Sequence, residues 1–85
     1  MAISATIHDS RISDVTVSDT TLSVKLRDGR TISAPLDWFP RLKNARQEDR
    51  LAWEPAAAGY GIHWPLIDED LSVEGLLRGQ PSPRL

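Results

Sequence analysis

With 85 residues, no cysteine, and ten basic against twelve acidic side chains for a formal net charge of −2, the chain has the means for one small domain. That composition excludes disulfide and thiolate–metal reinforcement, argues against a nucleic-acid binder relying on phosphate neutralisation, and offers no apolar run near the ~20 residues of a membrane span. A domain this size buries only about 60–65% of the surface its unfolded chain exposes, so a protein partner or homo-oligomerisation is the reinforcement left open.

Residues 1–10 carry an alternation of Ile3, Ala5 and Ile7 with no turn signal or aromatic anchor, and read as a flexible N-terminus or an edge strand. The domain proper is expected over residues 11–79. From Val15 the pattern sharpens. Val15 and Val17, then Leu22, Val24 and Leu26, then Ile32 and Ala34 alternate with polar neighbours at the two-residue period of a half-buried strand. Ser18-Asp19-Thr20 supplies the first turn and Asp28-Gly29 the second, the latter a strong hairpin signal because Gly accepts positive φ without steric cost. An antiparallel three-stranded meander follows. Ile12 breaks parity with Val15 and Val17, which requires a bulge before Val15 or an outward-facing Ile12.

Pro35 closes the third strand, after which Asp37 is expected to cap a short helix with Trp38, Leu42 and Ala45 on one face and Pro40 in its first turn. A second helical turn is expected from Gln47 to Ala52. Glu54-Pro55-Ala-Ala-Ala58 reads as an edge strand, because Pro55 cannot donate a ladder hydrogen bond. Ser72 is expected to cap a helix from Val73 to Arg78, with Gly79 ending it in the left-handed region and residues 80–85 as a disordered tail. The fold class is α+β, a three-stranded meander plus an edge strand packed with two or three short helices.

Three blocks then stand in order: Leu22-Ser-Val-Lys-Leu-Arg-Asp-Gly-Arg30, Pro35-Leu-Asp-Trp-Phe-Pro-Arg-Leu-Lys-Asn-Ala45, and Gly59-Tyr-Gly-Ile-His-Trp-Pro-Leu-Ile-Asp-Glu-Asp-Leu-Ser-Val-Glu-Gly-Leu-Leu77. Together they closely resemble the small prokaryotic family called domain of unknown function 2442. The resemblance implies an α+β fold with an antiparallel sheet, and a role as the proposed antitoxin of a toxin–antitoxin-like pair. Some relatives carry an added helix-turn-helix domain, for which this chain is expected to have no room. The sequence departs from the family pattern at Arg46, where a capping Thr is usual and Asn44 would have to serve or the turn fray. It departs again at Glu54-Pro55-Ala56, which is less apolar than the family's strand.

His63 with Asp68, Glu69 and Asp70 is the one cluster whose groups are competent metal ligands or general bases. Adjacent carboxylates diverge on a strand or loop, and no second histidine lies nearby, so the preferred reading is a turn in which Asp68 and Asp70 accept backbone amides. Gly59-Tyr60-Gly61 lacks the flanking strand, helix and lysine of a phosphate loop, and reads as a bend. No Ser-His-Asp or Gly-x-Ser-x-Gly arrangement supports nucleophilic catalysis. Lys25, Arg27 and Arg30 read as a solvated sheet face around the hairpin.

Five aromatics exceed what so small a core is expected to hold, which makes Trp38, Phe39 and Trp64 candidates for a partner-binding surface with Arg41 and Arg46 at its rim. The competing reading places all three aromatics in the core. Asp28, Gly29, Gly59, Gly61, Asp68 and Asp70 are expected as structural turn residues. The first functional expectation is therefore a small cytoplasmic, non-catalytic, antitoxin-like module without cofactors that binds a toxin-like protein. The alternatives are an accessory subunit in DNA-linked autoregulation, touching nucleic acid only indirectly, and a metal- or ligand-binding protein centred on His63 and the Asp68–Asp70 turn.

Overall fold

Alternating side chains build the first sheet. The computed structural model describes residues 9–79, where β1 (Ile12–Val17), β2 (Thr21–Leu26) and β3 (Thr31–Pro35) form an antiparallel meander in the order β1-β2-β3. The expected N-terminal arm before Asp9 and the expected tail from residue 80 lie outside the described residues. Val15 sits opposite Val24, and Val24 opposite Ile32, while Val17, Leu22 and Ala34 make the next row of the same face. Thr16, Ser23 and Ser33 form a row on the opposite, solvated face. Pairing shifts between Ile12 and Asp14, so the additional residue in β1 returns Ile12 to the inner face, where it is buried. At the first turn the Ser18 hydroxyl accepts from the amides of Thr20 and Thr21, and at the second Gly29 takes φ +99° while Asp28 accepts from the Arg30 amide.

After β3 the chain makes a 3₁₀ turn over Leu36–Trp38 and then two short helices, α1 (Pro40–Lys43) and α2 (Gln47–Leu51). The single helical face expected through Trp38, Leu42 and Ala45 is not formed. Phe39 interrupts it at φ −128°, ψ 79°, because a residue preceding proline is driven out of the helical region. Asp37 caps no helix, and its carboxylate instead meets the Lys43 ammonium. Nor does Asn44 cap α2: it terminates α1, and α2 starts from Arg46 without a side-chain cap. The Arg50 guanidinium stitches the two helices together, donating to the carbonyls of Leu42 at 2.9 Å and Lys43 at 2.8 Å, groups left open at a helix C-terminus.

The remainder forms a second antiparallel sheet, which corrects the expectation of one meander with a single added edge strand. β4 (Glu54–Ala56), β5 (Gly61–Trp64) and β6 (Glu69–Ser72) pair in the order β4-β5-β6, with Pro55 on an edge strand. β4 stops at Ala56 rather than Ala58, because Ala57 and Ala58 turn away with φ of 52° and 58°. The helix α3 (Val73–Arg78) begins where the Ser72 hydroxyl accepts from the Gly75 amide at 2.9 Å, and Gly79 ends it with φ +75°. One apolar cluster joins both sheets and the helices: Val24, Leu26 and Leu22 from β2, Leu36 and Phe39 from the turn, Leu42 from α1, Ile62 and Trp64 from β5, Val73 and Leu76 from α3. Over the described residues the architecture is α+β, two three-stranded antiparallel sheets with three short α-helices. No described helix is long and apolar enough to cross a membrane.

Candidate functional site

Pro40 starts α1 at the position where its missing amide costs nothing, and this aims Arg41 away from the buried Leu42 toward the β5–β6 hairpin. There the Arg41 guanidinium donates to the carbonyl of Asp68, a residue held at φ +53° in the loop between the two strands. Asp tolerates that left-handed conformation better than most residues. The bridge between α1 and the hairpin closes one side of an open groove of about 440 Å³, lined by Pro40, Arg41, Asn44, Ala45, Arg46, Asp49 and Ile67.

Its floor is apolar, from Pro40, Ala45 and Ile67, and its charged groups are two guanidiniums and one carboxylate. Arg46 is the more available cation. Its side chain is 75% exposed, and its nitrogens stand 3.6 Å from Glu48 and 3.7 Å from Asp49, both beyond hydrogen-bond length. A second depression of about 470 Å³ lies where β6 passes into α3, lined in part by Tyr60, Val73 and Leu77, of which Tyr60 and Leu77 are exposed.

Two of the aromatic anchor candidates are corrected by burial. Phe39 and Trp64 are both 0% exposed and belong to the core, so neither can meet a partner in the folded chain. Trp64 Nε1 donates to the Arg50 carbonyl at 3.1 Å, which satisfies the polar edge that burial would otherwise strand. Trp38 is half-buried, edge-on to Phe39 at 6.4 Å and close against Gly79, and it does not line the groove. Arg41 and Arg46 are the candidates the structure brings together. Sequence reasoning missed Pro40, Ile67 and Asp49 as their neighbours; an apolar pair, Leu66-Ile67, inside a loop was the available signal.

The expected Asp68–Asp70 turn is also redrawn. Asp68 lies in the hairpin loop, but Asp70 is a β6 residue opposite His63, whose Nδ1 donates to Asp70 Oδ1 at 2.7 Å. Glu69 is buried and accepts the Asp70 amide, so the three carboxylates point to different surroundings. Among the described residues no group of three His, Cys, Asp or Glu side chains is arranged to hold a metal ion. Gly61 is likewise a strand residue, paired with Ala56 and Ser72, while Gly59 takes the turn with φ +96°.

The shifted titrations lie away from the groove. Arg11 hydrogen bonds from its side chain and then its backbone amide hold the Asp9 carboxyl down at about 2. Arg11 and Arg30 are raised in turn, first by the hydrogen bonds they make to Asp9 and Asp28.

A family model described as "Protein of unknown function (DUF2442)" matches residues 12–82. No curated protein shows significant similarity to the chain. Among solved structures, a crystal structure of a protein of unknown function from Rhodospirillum rubrum is similar, with a TM-score of 0.73, 29% identity, and coverage of 91% of this chain and 95% of that one. The solution structure of an uncharacterised protein from Chromobacterium violaceum shares the fold at a TM-score of 0.72 and 21% identity, covering 86% of this chain and 69% of that one.

Proposed function

We propose that this chain, which belongs to the family of proteins of unknown function DUF2442, is a small non-catalytic binding module that neutralises a neighbour-encoded partner protein by covering its working surface. The observation that carries this reading is the open groove beside α1, where Arg41 and Arg46 stand over an apolar floor of Pro40, Ala45 and Ile67. Arginine above a desolvatable apolar patch is the composition of an interface centre, since its planar fork can pair with a partner group while its stem covers carbon. The mechanism is steric: association alone removes the partner's surface from use, and no bond in either protein is made or broken. The sequence likeness to a family with proposed antitoxins supports the choice of partner class.

The test is co-expression with the product of the adjacent gene, tagged on that product, followed by co-purification and sizing by light scattering. A stoichiometric complex, together with relief of any growth defect the partner causes alone, is the expected result. A partner that elutes alone and remains harmful in the presence of the folded chain contradicts the proposal.

A further inference from the structure

We infer that the α1 groove takes an acidic, extended segment of its partner, one in which an aliphatic side chain lies between carboxylates. This rests on the protein-binding reading and adds the chemistry of what is bound. Arg41 uses a guanidinium N–H on the Asp68 carbonyl, which fixes the fork in place while leaving others of its five donors to a ligand. Arg46, 75% exposed and at 3.6 and 3.7 Å from its acidic neighbours, keeps its donors for a closer acceptor.

Asp49 is the single anion of the lining, 3.7 Å from Arg46 Nε, and it offsets one of the two positive charges there. Within the lining two cations stand against one anion, with Glu48 beside Arg46 outside it at 3.6 Å, and the two guanidiniums set the sign of the preferred ligand. Nearby cations are already engaged: Arg50 with the carbonyls of Leu42 and Lys43, and Lys43 with Asp37. In the same groove as the two guanidiniums, Pro40, Ala45 and Ile67 supply a surface for one aliphatic side chain. A carboxylate on either side of that side chain meets a planar fork suited to bidentate pairing.

The experiment titrates the purified chain with an acetylated, amidated peptide Asp-Glu-Leu-Glu-Asp and with its uncharged counterpart Asn-Gln-Leu-Gln-Asn, following backbone amide resonances up to millimolar peptide. The acidic peptide should shift the amides of residues 41–49 and 67, more weakly at high salt, and Arg46→Glu should weaken it by about tenfold or more. Equal response to both peptides, shifts confined elsewhere, or no response overturns the inference. So does a single-stranded oligonucleotide that occupies the groove when the acidic peptide does not. The partner complex separates the two levels: a complex that forms and is indifferent to Arg46→Glu sinks the acidic segment and leaves the binding module standing, whereas no complex sinks the binding module itself.

Discussion

Trp64 shows how a side chain's size is legible in sequence while its direction is not. It is wholly buried, and the acceptor for its Nε1 is a backbone carbonyl on α2, fourteen positions earlier in the chain. Nothing in the local run Ile62-His63-Trp64-Pro65 marks that acceptor, so a buried indole and an exposed anchor look the same there. Trp64→Ala should cost about 3–5 kcal/mol in urea unfolding through loss of packing and the cavity left behind. Trp64→Phe keeps most of the apolar body and strands the Arg50 carbonyl, for a cost of about 1–3 kcal/mol. Indistinguishable stability of Trp64→Ala and wild type would return this residue to the surface. A pH effect belongs to the same scale. Because Asp9 is held at about 2, below its ordinary 3.8, its contribution is fully present above the ordinary value and lost as pH falls through about 2. The Arg11 amide resonance should therefore titrate with a midpoint near 2 and lose that step in Asp9→Asn; a midpoint at the ordinary value would contradict the Asp9–Arg11 clip.

The two sheets differ in how openly their strands are written. β1, β2 and β3 are five or six residues each with one solvated face, so apolar and polar residues alternate and the Asp28-Gly29 turn separates them. The second sheet's strands are three or four residues, one contains Pro55, and their connecting loop holds Leu66 and Ile67 where turn chemistry would be polar. Gly59-Tyr60-Gly61 thus reads as a bend and Asp68 to Asp70 as a turn, although Ile62 and Trp64 do share a face at the strand period. Of the four outer strands among the described residues, β1 carries a bulge and β4 carries Pro55, features that disfavour pairing with another chain. The turn before β5 is the strained element, with Ala57, Ala58 and Gly59 in succession at φ 52°, 58° and 96°. Ala58→Gly should stabilise the domain by about 0.5–1 kcal/mol by relieving a left-handed alanine, within the limit set by added unfolded-state freedom. Gly59→Ala should destabilise it by about 1 kcal/mol or more, since its new Cβ would also stand 3.0 Å from Arg11 Cγ. Thermal unfolding of the two variants checks the pair, and opposite signs are the expected outcome.

At the scale of the whole molecule, the aromatics and the arginines separate into inside and outside. Phe39 and Trp64 tie the helical segment and the second sheet to the first, whereas Arg41 and Arg46 remain on the surface over Pro40 and Ile67. The sequence expected Arg41 and Arg46 at the rim of an aromatic surface, and the two do line one groove. It placed the centre wrongly, because the hairpin loop that brings Ile67 beside them is set by tertiary pairing of β5 with β6. We propose this arginine groove as the partner-facing surface. Its most direct test is calorimetric titration of the neighbour-encoded partner with the wild-type chain, with Arg46→Glu, and with Lys25→Glu, an exposed cation on the outer face of the first sheet. The predicted result is a loss of about tenfold or more in affinity for Arg46→Glu and little change for Lys25→Glu. Equal affinities for all three, or a larger loss for Lys25→Glu, would contradict it.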